Sequence, residues 1–192
     1  MAQLFDNQVL NTTIMGVVDE TFKQMCHVNF SAEPVVTERD IIEYEGRMRV
    51  FPMEKFNCPA YVGIVNYYLS QTDMKDKMAV GMFSLFVKED MLEKFFRAFD
   101  RPMSEAEDEA VCLDVIGEMT NILAGNVKNQ LRELEYADLF ISAPFKYKNV
   151  VPEGAQFDYS LFKKQEIIFT LWKEKCVAVE ACMGYVAQRK KK

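Results

Sequence analysis

The sequence predicts an α+β fold in which helices pack on a largely antiparallel sheet. Each half of the chain starts with apolar residues at helical spacing and continues with segments rich in Val, Ile, Tyr and Phe. The chain has 192 residues, of which 49% are hydrophobic and 27% charged, and this suits one domain with a sizeable core over residues 1–192. Helix followed by strands, twice over, favours a duplication with halves of about residues 8–100 and 104–185.

The first half is predicted to hold one long helix, three strands and a short helix. The long helix covers residues 9–28, where apolar side chains recur at helical spacing. Three strands follow, rich in β-branched and aromatic residues, at residues 47–53, 61–69 and 78–87. The short helix covers residues 88–99 and ends before Pro102, which cannot continue it.

The second half starts with a helix that is well marked at its beginning. Ser104 and Glu107 form a capping box, and the acidic residues around them favour the positive end of the helix dipole. Strands are predicted after it at residues 138–148, 166–173 and 176–183. The last two strands form a hairpin across Glu174-Lys175.

This second long helix, which we call the motif helix, has two different faces. Its apolar side collects Cys112, Val115, Ile116, Met119, Leu123 and Val127. Its opposite side collects Asp114, Glu118, Asn121, Gly125 and Lys128. A polar stripe of this kind is most often a solvated face. Asn and Gly are unfavourable in a helix interior, however, so Asn121 and Gly125 need a reason to be there: Gly125 either admits another surface or packs on a neighbouring strand.

The spacing of the polar residues extends beyond the helix. Asp114, Glu118, Asn121 and Pro144 are separated by three, two and twenty-two residues. This pattern, with Ile116-Gly117 and Ala124-Gly125, resembles the CheC/CheX/FliY chemotaxis phosphatases, and CheX most of all. The resemblance implies a CheC-like duplicated helix-plus-strands fold. It also implies a phosphatase that hydrolyses the aspartyl phosphate of a response-regulator receiver in chemotaxis or two-component signalling.

A weak internal repeat is compatible with that resemblance. Residues 17–23 can be laid over residues 115–121, which places Glu20 on Glu118 and Lys23 on Asn121. The first copy lacks the Asn, and a single complete motif is typical of CheX rather than CheC. The alternative is a chance similarity between two amphipathic helices.

The resemblance implies a role for each polar residue of the motif. Asn121 would position the attacking water in the active site of a phosphorylated CheY-like receiver, and Glu118 would pair with a Lys of that receiver. Asp114, Gly125 and Lys128 would contact the partner, and Pro144 would shape the strand behind the helix. The phosphatase needs no cofactor of its own, because the receiver supplies the Mg²⁺. A non-catalytic receiver-binding or flagellar-switch adaptor of the same fold is the alternative.

Composition limits other functions and the cellular setting. The net charge of −6 and pI near 5.0 disfavour nucleic acid as a partner. Five cysteines without a Cys-x-x-Cys pair predict reduced thiols in a cytoplasmic protein, and the lone His27 predicts no metal site. No apolar run reaches the roughly 20 residues of a membrane span. The resemblance allows a homodimer, whose geometry an extra segment at residues 30–57 would affect.

Overall fold

The structure, a computed structural model, describes residues 5–45, 48–49, 52–150, 153, 156 and 162–187. The helices are α1 (Asn7–Cys26), α2 (Gln71–Lys75), α3 (Leu92–Ala98) and α4 (Glu109–Glu133). The strands are β1 (Val35–Asp40), β2 (Tyr44–Glu45), β3 (Met48–Arg49), β4 (Ala60–Tyr68), β5 (Gly81–Lys88), β6 (Phe140–Ile141), β7 (Phe145–Lys148), β8 (Lys163–Leu171) and β9 (Glu174–Met183). Short 3₁₀ turns lie at Pro52–Lys55, Glu89–Met91 and Met103–Glu107.

Seven of the strands form one antiparallel sheet. Its order is β1-β8-β9-β5-β4, and both β6 and β7 pair with the outer side of β4. With β7 at the end, the order is β1-β8-β9-β5-β4-β7. If β1, β4 and β5 of the first half are matched with β7, β8 and β9 of the second, swapping each matched pair gives the same order read backwards. Each outer strand therefore pairs with a strand of the other half, β1 with β8 and β7 with β4. The largely antiparallel sheet predicted from the sequence is confirmed.

One face of the sheet carries the long helices and the main core. Helices α1 and α4 pack side by side, and the Asn126 side-chain amide donates to the Thr21 hydroxyl at 3.4 Å. Apolar side chains that alternate along the central strands meet both helices. They include Phe83, Leu85, Val87, Ile167, Phe169, Val177 and Val179. The long helices are thus held by burial of their apolar faces, as the periodicity predicts.

The second face of the sheet carries a buried network of ion pairs. Glu166 and Glu180 project from β8 and β9 into this face, alternating with the core residues of the first face. Lys55 reaches both carboxylates and lies 5.0 Å from the Phe86 ring centroid. Within the described part of the predicted extra segment, residues 30–57, Lys55 and Phe56 therefore pack against the face that α4 does not occupy, whereas Phe30 packs against Phe22 of α1.

The start of α4 corrects one prediction. The helix does not begin at a Ser104 capping box, because Ser104 lies in the 3₁₀ turn Met103–Glu107. The N-cap is Asp108, whose carboxylate accepts a hydrogen bond from the Ala110 amide at 2.9 Å. Asp is as good an N-cap as Ser, so the sequence offered two candidates a few residues apart.

Several strand boundaries also differ from the prediction. The strand expected at residues 138–148 is broken into β6 and β7 around Pro144, which has no amide hydrogen for the ladder. The hairpin turns at Trp172-Lys173 rather than Glu174-Lys175, since both turn residues adopt positive φ as a type I′ turn requires. The strand expected at 47–53 is described only as β3 and the turn after it, and residues 50 and 51 lie outside the described residues.

Helix α4 is long and apolar enough to cross a membrane by length and composition alone. Among the residues that the structure describes, it is the one helix of which this is true. Its apolar side, from Cys112 to Leu131, is buried in the main core. Core packing accounts for that composition.

Candidate functional site

The motif helix presents the two candidate catalytic side chains to solvent. Glu118 and Asn121 are exposed, whereas Ile116, Met119 and Leu123 are fully buried. Residues three apart on a helix project from neighbouring positions of one face. The carboxylate of Glu118 and the amide of Asn121 can therefore reach one small target together.

The position of α4 on the sheet is fixed by close contacts beneath this exposed stripe. The Tyr67 hydroxyl, which is buried, donates to the Ala124 carbonyl at 3.0 Å. Thr120 lies so close to β4 that a Cβ built on Gly63 would be 2.0 Å from its hydroxyl oxygen. Only a glycine at position 63 permits this approach. The helix is consequently a rigid platform for Glu118 and Asn121.

Pro144 packs against the motif helix at Gly117, where the absence of a side chain makes room for it. A Cβ built on Gly117 would lie 3.3 Å from Cγ of Pro144 and 2.8 Å from Cδ of Lys146. The strand that follows Pro144 therefore runs directly against the motif helix. The proline, whose place in the motif has no chemical explanation, is here a packing partner of the helix beside Glu118.

Asp114 is paired with a lysine from this same strand. Nζ of Lys146 lies 2.5 Å from Oδ1 of Asp114. The hydrogen bond and the charge of Lys146 hold the pKa of the Asp114 carboxyl below its usual value. Asp114 is exposed, so this ion pair forms one rim of the site.

Glu118 is paired with Arg101, which follows helix α3. Nη2 of Arg101 lies 3.4 Å from Oε2 of Glu118, and Nη1 lies 3.9 Å from Oε2 of Glu105. The Glu118 side chain is 51% exposed and that of Arg101 33% exposed. Both acids of the motif thus have a cation of this chain beside them.

Asn121 differs from both acids. Its side chain makes no hydrogen bond with any residue that the structure describes, and it is exposed. Further along the stripe, no described atom outside the neighbouring residues and backbone of the same helix lies within 4 Å of a Cβ built on Gly125, so Gly125 does not pack on a described strand. At the far end of the stripe, Nζ of Lys128 lies 3.9 Å from Oδ1 of Asp138. The centre of the stripe is open and uncharged.

The sequence did not reveal Arg101 and Lys146 as neighbours of the motif. Arg101 precedes Glu118 by seventeen residues and Lys146 follows Asp114 by thirty-two. No periodicity connects such positions. The only available signal was that both residues flank an element boundary marked by a proline, Pro102 or Pro144.

A group of three carboxylates elsewhere has the donor atoms for a metal ion. Glu43, Glu166 and Glu180 place carboxylate oxygens within 4.8 Å of one another on the second face of the sheet. Three cations already pair with them, namely Lys55, Lys164 and Arg39. Their charge is therefore balanced within the chain, and the trio does not fit a cation site.

The comparisons with known proteins agree with this geometry. Residues 68–150, which include the motif helix and Pro144, match the sequence model of the family described as chemotaxis phosphatase CheX. The predicted resemblance to the CheC/CheX/FliY family is confirmed. No curated protein sequence matches the chain.

Solved structures with the same fold include three CheC-like or CheX proteins. A CheC-like superfamily protein from Shewanella sp. PV-4 has a TM-score of 0.57 at 17% identity, covering 92% of this chain and 98% of that chain. CheX from Vibrio vulnificus has a TM-score of 0.58 at 16% identity, covering 90% and 97%. CheX from Borrelia burgdorferi has a TM-score of 0.53 at 11% identity, covering 97% and 100%. The predicted CheC-like fold class is confirmed.

Proposed function

We propose that this protein is a CheX-like phosphatase that hydrolyses the aspartyl phosphate of a CheY-like receiver. The observation that carries the proposal is the exposed amide of Asn121, which no described residue hydrogen-bonds, one turn from Glu118 on a rigid helix. The match of residues 68–150 to the CheX family supports it. So does the Borrelia burgdorferi structure, in which CheX is in complex with CheY, BeF3 and Mg²⁺.

The chemistry asks little of the phosphatase itself. A receiver supplies the acyl phosphate, a bound Mg²⁺ and a Lys beside the phosphoryl group, so the phosphatase has only to place a water in line and hold it. An Asn amide offers an acceptor and two donors without a negative charge. Asn121 would therefore orient the water without repelling the phosphoryl group.

Glu118 has a different role in this proposal. Its carboxylate would pair with the receiver's Lys and thereby fix the receiver on the helix, before the chemistry starts. Gly125 would let the receiver surface approach the helix closely, because nothing in the described part of the chain occupies the space beside it. Asp114 and Lys128 would lie at the two ends of the contact, and no cofactor of this chain is required.

The proposal is tested by the release of phosphate from a receiver charged with acetyl phosphate and Mg²⁺. Replacing Asn121 by Ala should slow catalysed dephosphorylation about a hundredfold, equivalent to about 2.7 kcal/mol of transition-state stabilisation. The fold should be unaffected, since an exposed Asn→Ala change in a helix is neutral or slightly favourable.

Asn129 provides the matched control. It is exposed on the same helix, eight residues or about 12 Å further along the helix axis, so Asn129→Ala should leave the rate unchanged. An Asn121→Ala variant that is as active as the wild type would overturn the mechanism. If wild type and variants all bind a phosphorylated receiver without releasing phosphate, the non-catalytic receiver-binding or flagellar-switch adaptor is the correct function.

A further inference from the structure

We propose that Arg101 is a positioning residue that holds Glu118 in the free protein and gives it up to the receiver's lysine on docking. This inference rests on the proposed function, because it concerns how the same site admits its partner. In the free protein the carboxylate that should bind a cation of the receiver already has one, at 3.4 Å from Nη2 of Arg101. The two cations compete for the same oxygen atoms.

The backbone of Arg101 is fixed, which makes it more than a mobile surface charge. Helix α3 ends in a Schellman motif. The backbone amide of Asp100 donates to the carbonyl of Arg97 at 3.2 Å, and the backbone amide of Arg101 donates to the carbonyl of Phe96 at 2.8 Å. Asp100 takes the left-handed conformation, with φ of 53°, that this motif requires. Phe95 and Phe96 are fully buried, so the turn that bears Arg101 is anchored in the core.

Arg101 also has a second partner to which it can move. Nη1 lies 3.9 Å from Oε2 of Glu105, so the guanidinium bridges two carboxylates. When the receiver's lysine takes Glu118, Arg101 keeps Glu105 and no charge is left unpaired. The exchange breaks one exposed ion pair and forms another, and exposed ion pairs contribute little to stability. Docking therefore meets a small barrier instead of a closed site.

The exchange has a consequence that distinguishes it from a structural role. In the free protein Arg101 keeps the Glu118 carboxylate on the side of the helix that faces α3. On docking, its positive charge opposes the incoming lysine until it shifts to Glu105. Removing the guanidinium should therefore tighten receiver binding, whereas the loss of a contact with the receiver would weaken it. The rate at saturating receiver should not change, because Asn121 is untouched.

The experiment measures the affinity of a CheY-type receiver, loaded with beryllofluoride and Mg²⁺, for four proteins. These are the wild type, Arg101→Ala, Glu118→Ala and the double variant. We expect Arg101→Ala to bind about two- to fivefold more tightly than the wild type, as suits the weakness of an exposed ion pair. In the Glu118→Ala background the same change should have no effect, since there is no carboxylate to release.

Two further variants complete the design. Arg97→Ala is the control, because Arg97 is an exposed arginine of α3 paired with Glu93, four residues before Arg101, and it should bind like the wild type. Arg101→Lys keeps the charge and should restore affinity towards the wild-type value. Phosphate release at saturating receiver should be equal for wild type and Arg101→Ala.

The outcomes separate this inference from the proposed function. If the wild type binds the receiver and Arg101→Ala binds equally or more weakly, the exchange is wrong while the phosphatase proposal stands. The exchange is likewise wrong if Arg101→Ala tightens binding just as much without Glu118. If no receiver binds to the wild type, both proposals fail together.

Discussion

Helices α1 and α4 lie side by side on the same face of the sheet, yet their exposed stripes differ. On α4 the stripe presents Glu118 and Asn121, whose side chain has no hydrogen-bond partner among the described residues. On α1 the positions that the predicted repeat aligns with them carry Glu20, whose carboxylate accepts from the Gln24 amide at 2.9 Å, and the exposed cation Lys23. The buried faces of both helices are mainly apolar. Packing thus determines where a helix lies, while its outer stripe is free to acquire or lose chemistry.

Charge and hydrogen-bonding capacity explain why Asn121 of α4 and Lys23 of α1 cannot do the same chemistry. A positioned water in front of a phosphoryl group needs a neutral amide, and a lysine has no acceptor with which to orient it. Lys23 therefore prevents α1 from acting as α4 is proposed to act. This supports a single site, although the order of strands in the sheet is symmetric between the two halves.

The largest expected effect concerns stability rather than the site. Replacing Lys55 by Met should lower the free energy of unfolding by about 3 kcal/mol, because it removes the cation that Glu166 and Glu180 share and leaves these buried carboxylates with only Arg39 and Lys164. Receiver dephosphorylation at a temperature where the variant is folded should not change, since neither helix touches this network. A selective loss of dephosphorylation would show that the second face of the sheet is coupled to α4.

The same network predicts how stability depends on pH. Burial alone would raise the pKa of Glu166, but the charge and hydrogen bond of Lys55, together with the charges of Arg39 and Lys164, outweigh burial and the pKa lies below the usual 4.5. Burial would lower the pKa of Lys55, but Glu180 and Glu166 outweigh it and the pKa lies above 10.5. The stabilisation from Glu166 is therefore lost as pH falls below 4.5, and that from Lys55 as pH rises above 10.5.

Thermal unfolding over the pH range checks this expectation. The wild-type melting temperature should fall at both ends, and in Lys55→Met the alkaline fall due to this group should disappear. Persistence of an unchanged alkaline fall in Lys55→Met would assign it to another group.

The next effect tests the close approach of α4 to the sheet. Gly63→Ala should lower the free energy of unfolding by about 2 kcal/mol, because the added Cβ would overlap the Thr120 hydroxyl oxygen, 2.0 Å away. Denaturant unfolding measures the change. Combining it with Thr120→Ala, which removes the overlapping atoms, should restore part of the loss. Without such a rescue, the strain would have to arise elsewhere on β4.

A smaller effect compares the two helices directly. Glu118→Ala should weaken receiver binding about tenfold, or about 1.4 kcal/mol, because it removes the partner of the receiver's lysine. Glu20→Ala and Lys23→Ala, at the equivalent positions of α1, should leave both affinity and dephosphorylation rate unchanged. Titrating each variant with the receiver measures its affinity. A large loss of affinity or dephosphorylation rate in Lys23→Ala would contradict the single-site assignment.

Sequence reasoning reached the motif helix because a periodicity of 3.6 residues determines which side of a helix is buried. It missed β1, an edge strand whose side chains, such as Val35 and Glu38, are mostly exposed and carry no alternating pattern. It also missed α2, a helix of five residues without a buried side chain. The pairing of Arg101 with Glu118 could not be predicted from the sequence, because it depends on how α3 packs in the core.

The smallest effect uses two glycines, one in each long helix. Apart from the chain neighbours and the backbone of the same helix, no described atom lies within 4 Å of a Cβ built on Gly16 or on Gly125, so alanine fits both positions and should stabilise the protein by about 1 kcal/mol in each case. The two variants should differ in function, because Gly125 lies on the stripe that the receiver is proposed to approach, whereas Gly16 lies on α1. Gly125→Ala should weaken receiver binding a few-fold, and Gly16→Ala should not. Equal receiver affinity of the two variants would mean that the bare backbone at Gly125 does not serve docking, and that the contact with the receiver is limited to Glu118, Asn121 and their neighbours towards Asp114.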